Sequence, residues 1–169
     1  MSGDDIDRAL GFILNERNAR GRFVRLGPVL DTILSAHGYP PVIERLLIEA
    51  LTITALLGAM LKDAGGQLTM QAQTQGGPVS LLVCDYRGGE LRGYVKHDAD
   101  RLAEGPADPT LFGLFGKGYL AITFDQAVSG ERYQGIVPLE GESLAQAVET
   151  YFSQSEQIPS LVRVSAKGR

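Results

Sequence analysis

VIERLLIEALTITALLGAMLK, residues 42–62, decides the fold. At 3.6 residues per turn, Leu46, Leu47, Ile48, Ala50, Leu51, Ile53, Leu56, Leu57, Met60 and Leu61 point in nearly every direction. A helix that is apolar all round must be surrounded by protein or by lipid. Lipid is excluded: the uncharged stretch 50–61 falls well short of the ~18 to 20 residues that cross a bilayer, and Glu44, Arg45 and Glu49 interrupt the rest. Pro41 suits a first helical turn, where its missing N–H costs nothing, and Lys62 followed by Gly65 and Gly66 signals an end.

The segments that follow supply the surroundings. QLTMQAQTQ (67–75) sets Leu68, Met70, Ala72 and Thr74 against Thr69, Gln71, Gln73 and Gln75, the period of two of a half-buried strand. The turn Gly76-Gly77-Pro78 leads into VSLLVCDY (79–86), and Gly88-Gly89 leads into ELRGYVKH (90–97), which predicts an antiparallel meander of three strands. A loop-rich connection over 98–118 carries Leu111, Phe112, Leu114 and Phe115 in one cluster. YLAITFDQ (119–126) and RYQGIVPL (132–139) read as two further strands turning at Ser129-Gly130.

Ser143 and Gln146 fit a capping box that opens a helix with Leu144, Val148, Tyr151 and Phe152 on one face. Pro159 marks its end, and SLVRVSA (160–166) is expected to form a last strand. Upstream, GRFVRL (21–26) alternates like a strand, and PVLDTILSAHG (28–38) reads as a helix capped at Gly38. Residues 4–15 admit two readings, a helix on Ile6, Leu10 and Ile13 or a strand paired with 21–26. Together these elements predict an α+β fold: mostly antiparallel sheet layers enclosing a buried apolar helix at about 42–62, with helices at about 28–37 and 143–156. A single domain over 1–169 is expected, and a chain of this length buries about 70% of the surface it exposes when unfolded.

Composition narrows the function classes. Sixteen basic against twenty acidic residues give a net charge of −4, with no basic stripe, so nucleic acid is an unexpected partner. Cys84 is the only cysteine, which precludes an intrachain disulfide or a four-cysteine zinc site and fits a reducing compartment. The start MSGDDIDRAL lacks the basic-then-apolar order of a secretory signal, so a cytoplasmic location is expected.

Chemistry-bearing motifs are weak. His37 and His97 lack metal-helix or nucleophile spacing, and His37 sits where a histidine meets a helix C-terminus favourably. GLFGKG (113–118) has the wrong glycine spacing for a phosphate loop, with Gly118 where a hydroxyl belongs. Cys84 lies in an apolar strand and reads as a small core residue, while Asp98 and Asp100 are explained by turn chemistry. From the residues alone, no catalytic, metal or cofactor site is expected, and an enzyme reading would rest only on the loop around Lys117.

Several segments in order resemble the 33-kilodalton heat-shock protein family, the redox-regulated holdase chaperones of bacteria. They are RGRFVRL with HGYP, LLIEALTITALLGAMLK, LTMQAQTQGGPVSLLV, RGYV, GKGYLAIT, RYQGIVPLEGESLAQAVETYF and QSEQIP, spanning most of residues 20–160. RYQGIVPLEG followed at this spacing by YFSQSEQIP is the most specific of them. The resemblance implies a core with a helix enclosed by sheet, homodimers with exchanged segments, and ATP-independent holding of unfolding polypeptides. It also implies a C-terminal module whose four cysteines bind zinc when reduced and form disulfides under oxidative stress, releasing a linker.

This chain stops at Arg169, before such a linker and module, so it is expected to be either a fragment or a variant without the switch. No cofactor is expected in the chain itself, zinc belonging to the absent module, and Cys84 does not match the zinc cysteines. The expected function is a chaperone core that binds unfolded or partly folded proteins through exposed apolar surface, independently of oxidant. The alternative is a dimerisation or scaffold domain without client binding of its own. Phe112 and Phe115 are the candidate client contacts, since a loop that places aromatics among glycines presents them to a partner.

Overall fold

The computed structural model describes residues 6–167. At its centre lies α2 (Pro41–Gly58), opened by Pro41 and by the Pro40 carbonyl, which accepts from the Ile43 and Glu44 N–H groups. No residue from Leu46 to Gly58 is exposed, as the all-round apolar pattern requires. The hydroxyls of Thr52 and Thr54 escape the cost of burial by donating to the carbonyls of Ile48 and Ala50, four residues back.

The helix ends four residues earlier than the 42–62 reading. Gly58 lies against the ring of Tyr86, where a Cβ would come within 2.3 Å of it. Met60 and Leu61 then make i→i−3 bonds to Leu57 and Gly58, a tighter turn that closes the helix without the Gly65-Gly66 signal.

Around α2 runs an antiparallel sheet with strand order β5-β4-β3-β6-β7. The strands are β3 (Gln67–Gly76), β4 (Val79–Arg87), β5 (Glu90–His97), β6 (Gly116–Asp125) and β7 (Arg132–Pro138). Leu68, Met70 and Ala72 of β3 are fully buried, with Leu82 and Cys84 of β4 and Leu120 and Ile122 of β6 on the same inner face. The expected meander of β3, β4 and β5 is present, but β6 returns to pair with β3, making β3 the central strand.

The connection that allows this return, expected to be loop, contains two short helices, α3 (Ala99–Glu104) and α4 (Leu111–Phe115). Each has its own cap: the Asp98 carboxylate accepts from the Asp100 and Arg101 N–H groups, and the Thr110 hydroxyl accepts from Gly113 N–H. α4 buries Leu111, Leu114 and Phe115 under the sheet.

The N-terminal segment takes the strand alternative: β1 (Arg8–Leu14) pairs antiparallel with β2 (Ala19–Arg25), and residues 4–5 of that reading lie outside the described residues. Every residue of β1 is exposed, so a helix there would have had no core to bury its stripe against. α1 (Pro28–Ser35) follows, its first turn capped by Asp7, whose carboxylate accepts from the Gly27 and Val29 N–H groups. It ends before the expected His37, and Gly38, with φ +63°, turns the loop beyond it.

α5 (Leu144–Ser155) opens as the capping box predicts: the Ser143 hydroxyl accepts from Gln146 N–H at 3.3 Å. The Gln146 amide oxygen accepts from Glu142 N–H, one residue before the cap. The strand expected at 160–166 is absent. That segment runs beside α5, where the Glu149 carboxylate accepts from Val162 N–H at 2.7 Å and pairs with Arg163, so a side chain takes the place of a ladder.

A third acceptor at α5 comes from α2. Glu49 accepts from Ala145 N–H at 3.3 Å, placing a carboxylate of the apolar helix at the start of another helix. Burial pushes its carboxyl up from the ordinary value, and the Ala145 and Leu144 N–H groups oppose this only in part. The folded chain therefore holds this proton more tightly than the unfolded one. The contribution of Glu49 to stability is most favourable below the unfolded carboxylate value and is lost as pH rises through the raised folded value. Glu49→Gln keeps an acceptor for Ala145 N–H and removes the charge. Urea midpoints measured across pH 4 to 8 should be higher for the variant at the neutral end and converge with the parent at the acid end.

Candidate functional site

The polar residues singled out in the sequence do not assemble a reaction centre. Both histidines converge on Tyr39, His37 stacked on it at 4.9 Å between ring centroids and His97 edge-on at 5.9 Å. The Tyr39 hydroxyl accepts from Val95 N–H at 2.9 Å, so this cluster ties the loop between α1 and α2 to the edge strand β5. Cys84 is fully buried, and burial pushes its thiol up to about 12, the opposite of a reactive cysteine. No group of three or more histidine, cysteine, aspartate or glutamate residues suited to a metal ion occurs among the described residues.

A cavity of about 140 Å³ between the β1–β2 hairpin and Tyr86 is lined by Asp7, Arg8, Val24 and Leu91. Its carboxylate is already committed to capping α1.

What the structure does assemble is a surface. Strand alternation sends one set of side chains to the helices and the other to the opposite face. α2 contacts β3, β4 and β5, α4 contacts β3, β4 and β6, and α5 contacts β7. Gly93 and Gly135 show that these helices share one face: a Cβ at 93 would meet Leu47 and Leu51 of α2, and one at 135 would meet the Tyr151 ring of α5.

The register fixes the rows on the outer face. One crosses the five strands as Tyr94, Val83, Gln71, Ala121 and Ile136, and the next as Lys96, Leu81, Gln73, Tyr119 and Pro138. Tyr119 is 64% exposed and Ile136 57%, and with Tyr94, Leu81, Val83 and Ala121 they make an apolar band that Gln71 and Gln73 of β3 cross in the middle. The row on the Gln67 side of the band is polar and self-satisfied: the Thr69 hydroxyl donates to Asp85 at 2.7 Å, Gln134 donates to Thr123 at 2.8 Å, and Arg92 pairs with Asp85. An exposed apolar band bordered by polar groups is the kind of surface that binds another chain.

The two phenylalanines part company. Phe112 stands on the outside of α4 at 62% exposure, whereas Phe115, the last residue of that helix before the chain turns into β6 at Gly116, is fully buried and belongs to the core. A second exposed apolar group, Leu10, Phe12, Ile13 and Leu14 with Phe23, lies on the β1–β2 hairpin. In the sequence Tyr119 and Ile136 stand out only as strand residues. Both face away from the core side of their strands, and the pairing of β6 with β3 and β7 is what brings them together.

A family model described as Hsp33 protein matches residues 7–169. The chain is 43% identical over 166 residues to a 33 kDa chaperonin of Caulobacter vibrioides (strain NA1000 / CB15N), covering 96% of the chain and 54% of that protein. It is 42% identical over 171 residues to the 33 kDa chaperonin of Shewanella sediminis, covering 100% of the chain and 56% of that protein. The crystal structure of a 33 kDa chaperonin (heat shock protein 33 homolog) from Thermotoga maritima is similar in fold, with a TM-score of 0.73 at 24% identity over 89% of this chain and 52% of that one. The chain thus spans about half the length of the curated relatives it matches. Among the described residues no helix is long and apolar enough to cross a membrane.

Proposed function

The chain belongs to the Hsp33 family, and from that membership we propose that it acts as a chaperone core, holding unfolding polypeptides on the outer face of its sheet. The observation that carries this reading is the apolar band of Tyr94, Val83, Ala121, Ile136, Leu81 and Tyr119 on a face turned away from the helices. Apolar contact is non-directional, so such a band accepts many client sequences. Phe112 is a second candidate contact, and Phe115 supports the face from within. Holding in this manner needs no nucleotide and no bond-making chemistry, so the reading is of an ATP-independent chaperone and not an enzyme.

Redox control by zinc-binding cysteines is assigned to a C-terminal module of the full-length family. Within this chain the lone thiol is buried, so client binding by these residues is independent of oxidant and requires no cofactor. A cytoplasmic location accords with that thiol.

A specific observation also favours association between copies. The β1–β2 hairpin carries exposed Phe12, Ile13 and Leu14, which fits a homodimer in which this segment is exchanged or shared. If dimerisation were the whole function, the chain would form dimers yet retain no client.

The test is suppression of light scattering by a thermally aggregating client in the presence of excess chain, run with reductant and with peroxide, alongside sizing of the chain alone. Suppression equal in both conditions is expected. Dimers without suppression would favour the scaffold reading, and activation by peroxide would contradict oxidant-independent binding.

A further inference from the structure

The outer face is not uniformly apolar. Down the middle of it, along the central strand β3, run Gln71, Gln73 and Gln75, outward by alternation and spaced two residues apart. Gln67, at the start of the same column, donates to Thr69 and Asp85. The other three amides form no side-chain hydrogen bond with described residues, so donors and acceptors remain available at each step. Alternate residues of a strand lie about 6.6 to 6.8 Å apart, which is also the two-residue repeat of any extended chain laid alongside. A primary amide offers both a donor and an acceptor, the complement of a peptide group.

Charge gives this column a direction. At its Gln67 end two carboxylates are paired, Asp85 with Arg92 at 3.4 Å and Asp125 with Arg132 at 3.5 Å, and Glu90 stands exposed beside Arg87. At its Gln75 end the register sets Lys96 in the row of Gln73 and Lys117 directly beside Gln75. Both lysines are exposed, and neither makes an ion pair among the described residues. Arg101 adds a third cation there, bound to the carbonyls of Gly76 and Gly77. The nearby Asp98 is occupied in capping α3.

We infer that the outer face binds a client as an extended segment laid along β3, its peptide groups held by Gln71, Gln73 and Gln75 and an acidic flank held by Lys96 and Lys117. This rests on the chaperone reading and sharpens it. Apolar side chains of the client fall on either side of the column, towards Tyr119 and Ile136 or towards Leu81 and Val83. Backbone recognition supplies affinity without regard to sequence, and the lysines supply the preference for acidic flanks.

Three fluorescein-labelled twelve-residue peptides with one shared apolar centre test this by anisotropy at low salt: acidic-flanked, basic-flanked, and acidic-flanked with alternate backbone nitrogens methylated. The acidic-flanked peptide should bind at least about fivefold tighter than either of the others. Lys96→Glu with Lys117→Glu should invert the charge preference, and Gln71→Ala with Gln73→Ala and Gln75→Ala should abolish the effect of methylation. Holding of a heat-denatured client is measured in parallel on the same preparations. Normal holding with peptides that bind alike overturns the inference and leaves the chaperone reading standing. Absence of holding and of peptide binding overturns both.

Discussion

Tyr119→Thr combined with Ile136→Thr should lower client-holding capacity at least about tenfold while leaving the melting temperature nearly unchanged. Tyr119 and Ile136 occupy adjoining rows on neighbouring strands and are the most exposed members of the apolar band. Burying one large apolar side chain against a partner is worth roughly 1.5 to 3 kcal/mol, and each 1.4 kcal/mol is a factor of ten in affinity. Even half of that gain from two side chains amounts to an order of magnitude. Stability responds differently, because exposed positions away from caps and networks change it by only about 0.5 kcal/mol, and threonine retains the β-branched shape a strand favours. Light scattering of a heat-denatured client and thermal unfolding of the same preparations give the two readings. Undiminished holding by a folded double variant would move the client site elsewhere, with Phe112 and the β1–β2 hairpin as the remaining exposed apolar groups.

The difference between these two readouts parallels what the sequence discloses and what it conceals. α2 was legible because a helix with apolar residues in every direction has only one kind of environment available to it, and the strands around it were legible because alternation is a local property. The return of β6 to β3 was not, since pairing between residues such as Met70 and Ile122 depends on a connection whose length and caps set no register by themselves. The candidate face was concealed for the same reason. Gln71, Ala121 and Ile136 belong to three strands, and only their pairing makes them one row.

The differences in detail also have physical causes. A last strand was expected at 160–166, but Glu149 satisfies Val162 N–H from the side, so the segment needs no ladder. Asp98, read as turn chemistry, and Thr110 prove to be caps, and the helices they open are of six and five residues, too short for periodicity to register. The recognised helix end at Gly65-Gly66 gave way to Gly58, whose missing side chain admits the Tyr86 ring, a contact between residues distant in sequence.

Leu51→Ala should produce the largest loss of stability, about 2 to 5 kcal/mol, because it removes a fully buried side chain from the helix around which everything else packs. Against a typical total of ~5 to 15 kcal/mol for a folded domain, that is a substantial fraction. The partner of Leu51 across the interface is Gly93 on β5, where a Cβ would stand 2.8 Å from Leu51 Cδ2 and 2.8 Å from Leu47 Cδ1. Gly93→Ala alone therefore overpacks the contact, at a cost of roughly 1 to 3 kcal/mol. In the Leu51→Ala background the added methyl meets space on one side, leaving only Leu47 to yield. The two substitutions should accordingly be less destabilising together than the sum of each alone, a coupling expected for residues in direct contact. Urea unfolding of the four proteins measures it, and strict additivity would mean that α2 does not rest on β5 through this pair.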